Sequence, residues 1–218
     1  MSGLHVRVVK IGGSLLDLPD LQARLSHWID SSSPALNVLL VGGGGFAETI
    51  RQADARFHLG EERAHWLCIE ALGVSARLMG AIFGGRLPIQ DWPTLLAIRN
   101  HLATTQPETS FTVILDPPTF LNFHEPQLPP RAIPHTWDVT TDSIAARMAE
   151  CLRANELALL KSCDPPTDFA VGSAASSRMV DPFFPQAVPE GLKVTWTNLR
   201  MGSGEPQDDF ARDTLVGV

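Results

Sequence analysis

Three times in this chain a short apolar run stops at small residues, and after the first two a helical pattern follows. Val6-Arg7-Val8-Val9-Lys10-Ile11 ends at Gly12-Gly13, Val38-Leu39-Leu40-Val41 ends at Gly42-Gly43-Gly44-Gly45, and Leu157-Ala158-Leu159-Leu160-Lys161 ends at Ser162. Strands that are apolar on both faces have to be covered on both faces, as in a parallel sheet between helices. The expected fold class is therefore α/β: a three-layer αβα sandwich around a mainly parallel β-sheet.

Further strands are predicted at 111–115 and 192–196, besides 6–11, 37–41 and 156–161, and helices at 15–30, 46–55, 62–83, 94–101, 141–154 and 182–187. The helical spacing turns Leu15, Leu18, Leu21, Leu25, Trp28 and Ile29 toward the core, then Trp66, Ile69, Leu72, Ala76 and Met79, and then Ile144, Ala145, Met148 and Leu152. Pro19 sits where it can interrupt the first turn of the helix at 15–30. Residues 116–134 are rich in proline and lack periodicity, which reads as a structureless lid or substrate loop. Residues 163–177 are rich in Pro, Gly and Ser and read as mobile; a polar tail at 202–209 and a last strand at 214–216 follow. No linker divides the chain, so 1–218 is expected to be one domain.

Composition excludes several classes. The 218 residues are 44% hydrophobic and 19% charged, enough for a packed core. A net charge of −7 without a basic run argues against nucleic acid, yet leaves room for ATP, because a few cations and N–H groups can hold a phosphate. Three cysteines without a CxxC spacing indicate neither a disulfide framework nor zinc, and point to a reducing cytoplasm. No signal peptide and no bilayer-length apolar run is present.

The chemistry concentrates where strands end. The chain has only three lysines, and two of them, Lys10 and Lys161, close buried strands. A lysine beside a turn with free N–H groups suits a phosphate, and Gly12 and Gly13 let the backbone come close to one. The plainer alternatives are a tight turn with a snorkelling lysine and a strand-end lysine in solvent. Four consecutive glycines exceed what a simple turn needs, so Gly43, Gly44 and Gly45 read as a ligand approach, with a flexible turn as the alternative. In Trp137-Asp138-Val139-Thr140-Thr141-Asp142-Ser143, Thr140 or Thr141 is a candidate N-cap and Asp142 suits the first helical turn. The other reading sets Asp142 between Lys10 and Lys161, fixing both ammonium groups. Arg51 is a candidate for a substrate anion or a solvated arginine, and Asp116 either faces a site or starts a loop. His58 and His65 lack a third ligand, so no metal site is indicated.

In this order the motifs resemble the amino acid kinase superfamily, which includes carbamate, acetylglutamate, glutamate 5-, aspartate, uridylate and isopentenyl phosphate kinases. The segments 133–146 and 157–164 look most like its short branch containing the aminomethylfuran phosphate kinase of methanofuran biosynthesis and relatives linked to tetrahydromethanopterin C1 metabolism. The resemblance implies a cytoplasmic ATP-dependent kinase with Mg²⁺ bridging the nucleotide phosphates, transferring phosphate to a small phosphate monoester such as 5-(aminomethyl)-3-furanmethanol phosphate. It places the acceptor toward 1–135 and the nucleotide toward 136–218. Lys10 and Lys161 would stabilise the transferred group, Gly12 and Gly13 would donate to it, and Asp142 would organise the lysines. Ser162 and Asp164 would lie against the nucleotide, and Gly43, Gly44, Gly45, Trp137, Asp138 and Thr140 against the acceptor. A homo-oligomer is implied, with the helix at 62–83 as an interface element. One departure stands out: Ser162-Cys163-Asp164-Pro165-Pro166 replaces the Val-Asp-Gly-Val-Tyr-like run that usually shapes the nucleotide pocket. It leaves open a non-catalytic nucleotide or oxyanion binder on the same fold, beside a kinase of the amino acid or uridylate type.

Overall fold

Alternation along buried strands decides which side chains meet which helices. The computed structural model describes residues 3–130, 132–166, 174–175 and 178–201. The expected tail at 202–209, the strand at 214–216 and most of the loop at 163–177 lie outside those residues. Five strands, β1 (Val6–Ile11), β2 (Leu36–Val41), β3 (Phe111–Ile114), β4 (Glu156–Lys161) and β5 (Lys193–Asn198), form one sheet in the order β3-β2-β1-β4-β5. Every neighbouring pair is parallel, and every residue of β1, β2 and β4 is buried. The helices are α1 (Leu21–Ser31), α2 (Gly44–Phe57), α3 (Glu61–Ile82), α4 (Trp92–Thr105), α5 (Pro117–Thr119), α6 (Thr141–Leu152) and α7 (Phe184–Ala187).

The two faces of the sheet carry separate cores. Val6, Val8, Val38, Leu40, Leu157 and Leu159 pack with Ile69 and Leu72 of α3 and with Ile144 and Met148 of α6. Val9, Ile11, Leu39, Val41, Ala158 and Leu160 pack with Leu21, Leu25 and Trp28 of α1 and with Ala76 and Met79 of α3. With a side-chain period of two, Lys10 continues the series Val6, Val8, and Lys161 continues Leu157, Leu159. Both lysines therefore emerge on the α6 face, at the carboxyl ends of adjacent strands. At the opposite end of the sheet, Arg7 Nε donates to Glu156 Oε2 at 2.8 Å and Arg7 Nη1 to Asn37 Oδ1 at 3.0 Å. Burial pushes the Glu156 carboxyl up. Hydrogen bonds from His5, Arg7 and Thr195 and the guanidinium charge outweigh that and hold it at about 2.

Two expectations fail for identifiable reasons. The helix expected from Leu15 begins only at Leu21. Gly13–Leu15 is a 3-10 turn, and Pro19, which lacks an N–H, separates it from α1. The stretch 116–134 is not structureless. It holds α5, a π-helical turn (Phe120–His124) and a 3-10 turn (Glu125–Gln127). Prolines 117 and 126 occupy first-turn positions, where a missing N–H costs nothing. Glu125, 1% exposed, accepts from Arg147 Nε of α6 at 2.8 Å and from Ile133 N at 3.1 Å. Arg147 also donates to the carbonyls of Leu128 and Pro129, so a buried ion pair ties the stretch to α6.

Candidate active site

The sheet topology brings the two lysines together. Lys10 pairs with Leu159 and Ile11 with Leu160, which puts Lys161 one step beyond the end of β1. Asp142, in the first turn of α6, lies between them: its Oδ1 is 2.9 Å from Lys10 Nζ and 2.8 Å from Lys161 Nζ. Lys161 also donates to Asp142 Oδ2 at 2.9 Å and to the Met179 carbonyl at 2.8 Å. Its ammonium lies 5.3 Å from the Trp196 ring centroid. All three residues are under 10% exposed. The solvated-lysine alternative is thereby excluded for both positions. Burial raises the Asp142 carboxyl, but the charges of Lys10 and Lys161 and their hydrogen bonds outweigh it, so Asp142 stays ionised. Burial, and then the Lys10 charge, lower Lys161 to about 8 despite Asp142 beside it.

The cap of α6 is a surprise. Neither Thr140 nor Thr141 caps the helix with its own side chain. Asp181 does so from far downstream: it accepts from Thr140 N at 2.9 Å, Thr140 Oγ1 at 2.8 Å, Ser143 N at 3.0 Å and the Ser143 hydroxyl. Burial raises the Asp181 carboxyl, and the neighbouring charge of Asp142 adds to this against the hydrogen bonds. Sequence reasoning missed this residue. Its one local signal is an acid just before Pro182, where the sequence predicts a helix to start; the helix, α7, begins at Phe184 instead.

The glycines also serve the packing of the turns. The β1 and β2 turns pack backbone against backbone. A Cβ on Gly42 would stand 2.7 Å from Gly13 N, one on Gly44 2.6 Å from Gly13 O, and one on Gly43 2.6 Å from the Ala47 Cβ. Gly44 also has φ +50°. Only Gly45 of the four opens onto empty space. Gly42 and Gly44 therefore fit the contact between the two turns and Gly43 the close approach of Ala47, while Gly45 leaves space beside it. Gly12 is corrected: its N–H donates to the Leu160 carbonyl at 2.8 Å and stitches β1 to β4 instead of pointing at an anion.

The remaining expected residues divide into two groups. Ser162 Oγ lies 2.8 Å from Ser14 Oγ, bridging the two lysine-bearing turns. Asp164 accepts from Asn198 Nδ2 at 2.9 Å, and the Cys163 carbonyl from Trp196 Nε1 at 2.9 Å, so this turn is fastened to the end of β5. On the other side, Trp137 and Thr140 share with Gly43, Arg51, His65 and Cys68 a cavity of about 70 Å³. Trp137 Nε1 donates to Asp54 Oδ2 at 2.8 Å, and the Arg51 guanidinium stacks 4.9 Å from the Trp137 ring. Burial, and then His135, depress His65 to about 4, leaving it neutral beside the cavity. Asp138 is exposed and Asp116 is buried away from the lysines, held by Arg77 Nη1 at 3.1 Å and Gln90 Nε2 at 2.9 Å.

The sequence profile of the amino acid kinase family matches residues 5–165. The chain is 25% identical over 160 residues, 73% of its length and 67% of the relative's, to the [5-(aminomethyl)furan-3-yl]methyl phosphate kinase of Methanocaldococcus jannaschii. Among solved structures it is similar to the uridylate kinase of Archaeoglobus fulgidus, with a TM-score of 0.57 at 14% identity over 88% of this chain and 89% of that one. The UMP kinase of Ureaplasma parvum gives 0.58 at 14% identity, over 89% and 90% of the two chains. These structural likenesses speak for the fold.

Proposed function

The chain belongs to the amino acid kinase family, and from that premise we propose that it is an ATP-dependent kinase adding the γ-phosphoryl group to a small phosphate monoester. The acceptor we infer is 5-(aminomethyl)-3-furanmethanol phosphate or a close analogue, in methanofuran- or tetrahydromethanopterin-linked C1 metabolism; the named activity of the Methanocaldococcus relative supports it. The observation that carries the reading is the buried Lys10–Asp142–Lys161 cluster, two ammonium groups held by one carboxylate. Its net positive charge suits an incoming phosphate, and preorganised cations stabilise charge that develops in transfer.

Lys10 and Lys161 would contact the transferred group, and Asp142 would hold both in place. Gly13 and Ser162 would line the phosphate path from the two turns, with Asp164 toward the nucleotide. Gly43, Gly44, Gly45, Trp137, Asp138 and Thr140 would border the acceptor, with Arg51 facing its phosphate. This follows a division into an acceptor half near 1–135 and a nucleotide half near 136–218. Among the described residues no cluster of three acidic, His or Cys side chains could cage a cation. Mg²⁺ would accompany the ATP phosphates and screen their charge during transfer.

A cytoplasmic setting accords with three unpaired cysteines. No helix of the described residues is long and apolar enough to cross a membrane. Leu67, Val74 and Leu78 leave an apolar stripe exposed on α3, which we assign to a second copy of the chain; a monomer in light scattering would remove that assignment. The replaced run after Lys161 favours one other reading, a nucleotide or oxyanion binder without turnover. ADP release from Mg-ATP with a panel of phosphate monoesters, carboxylates and nucleoside monophosphates separates the readings. Hydroxylamine trapping would mark a carboxylate acceptor, and binding without ADP release would favour the binder.

A further inference from the structure

The α6 cap poses a physical question. A helix beginning at Thr141 has several N–H groups without helical partners, and a Ser, Thr or Asp at the cap position usually serves them. Thr140 occupies that position, yet its hydroxyl donates to Asp181 instead of capping the helix itself. Both Thr140 N and Ser143 N turn to Asp181 Oδ2. A buried carboxylate is costly, and one placed near the buried Asp142 is costlier. A local cap would hold the helix at lower cost. It would not, however, connect the helix to anything else.

Asp181 makes such a connection. Two residues before it, the Met179 carbonyl accepts from Lys161 Nζ at 2.8 Å. Lys161, Met179, Asp181, the first turn of α6 and Asp142 therefore form a closed circuit that returns to Lys161 through the 2.8 Å ion pair. The Asp181 carboxylate accepts from four donors, three on Oδ2 and one on Oδ1. Building on the kinase reading, we propose that Asp181 is a positioning residue for phosphoryl transfer: the strap Met179–Asp181 locks the first turn of α6, and with it Asp142, against Lys161. Asp181 acts through Asp142 and Lys161 and touches neither substrate.

Among the described residues, the charged and polar groups facing Lys161 are Lys10 on β1, Asp142 on α6, the Met179 carbonyl on the strap and the Trp196 ring on β5. Loosening the strap lets Asp142 drift, and Lys161 then loses the partner that keeps it protonated. The chain has only three lysines, so ¹³C-labelled lysine gives three resonances to follow without any substrate. In Asp181→Asn the Lys161 midpoint is expected to fall by about one pH unit. In turnover, kcat is expected to fall about 10- to 100-fold with both KM values within about threefold, because a displaced charge is missed most in the transition state. The basic limb of the kcat/KM profile moves to lower pH with it. Asp181→Ala exaggerates both effects; if it does not fold, Ser143→Ala, which removes one hydroxyl donor and keeps the backbone cap, should move the midpoint in the same direction by less. An unmoved Lys161 midpoint in folded Asp181→Asn, with kcat lowered only by the fraction unfolded, overturns the proposal. If the wild type proves silent toward every acceptor, the kinase reading falls, and the lysine midpoints still decide whether Asp181 positions Asp142.

Discussion

Replacing Asp142 with asparagine keeps the shape of the side chain and removes the charge between two lysines. The ammonium groups of Lys10 and Lys161 sit 2.9 and 2.8 Å from the same oxygen. Their nitrogens are therefore less than about 6 Å apart, and at an effective dielectric of about 20 their repulsion is roughly 3 kcal/mol. That repulsion already lowers Lys161 with the carboxylate in place; what asparagine removes is the opposing attraction of Asp142, so the Lys161 midpoint falls further. Lys161 stands at about 8 with Asp142 in place. Without it, the cluster holds one proton fewer near neutral pH and one lysine loses the charge it brings to the transferred group. Loss of one such cation should lower kcat about 10²- to 10³-fold at pH 7.5. The loss should shrink toward pH 6, where the proton returns. The assay is ADP release across pH 5.5–9.5 in wild type and Asp142→Asn, read as kcat/KM to report the free enzyme. A variant whose basic limb stays where the wild type has it, or whose rate is unchanged at pH 7.5, would refute the reasoning.

Other predictions test the frame around the cluster. Gly44→Ala should cost about 1–3 kcal/mol in urea unfolding, because its Cβ meets the Gly13 carbonyl and its φ is positive, whereas Gly45→Ala should leave stability within about 0.5 kcal/mol. Glu125→Ala removes the more buried of the two carboxylates that hold the Arg147 guanidinium, leaving Glu150, and should cost about 1–3 kcal/mol, with faster proteolysis of the 116–134 stretch. His65 stands at about 4 against an ordinary 6.5, so the unfolded chain binds the extra proton between those values. Stability should accordingly fall as pH drops from 6.5 toward 4, and His65→Gln should flatten that limb of thermal unfolding. Glu156 is depressed to about 2, so its contribution is present above about 4.5 and lost on further acidification; Glu156→Gln should flatten that lower limb.

How much of this could be read in the sequence depends on the reach of each interaction. Strands β1, β2 and β4 were legible because burial on both faces leaves near-continuous apolar runs, and the turns after them contain glycine or serine. The position of Asp142 in the first turn of a helix made it a candidate partner of Lys10 and Lys161, whereas the shared face of the two lysines follows from the parallel register of β1 and β4. The beginning of α1 was misread because Leu15 and Leu18 fit the helical spacing while Pro19 separates them from the helix proper. Glycine number is ambiguous in another way: composition shows that glycine is needed at 42–44 but not whether a ligand or a neighbouring turn requires it. The structure of 116–134 was hidden because its organiser is a buried pair between Glu125 and Arg147, 22 positions apart. Asp181 was hidden for the same reason, since its donors lie 38 to 41 positions upstream. Propensity and periodicity describe neighbours along the chain and carry little about such pairs.

The central claim is that two lysines organised by Asp142 move a phosphoryl group from ATP onto a phosphate monoester. The most direct test is ³¹P NMR of the products formed from Mg-ATP and 5-(aminomethyl)-3-furanmethanol phosphate, with Lys161→Ala as control. The account predicts the paired doublets of a new diphosphate growing with ADP in the wild type and absent in the control. Undiminished product in Lys161→Ala, or ADP accompanied only by inorganic phosphate in the wild type, would contradict it.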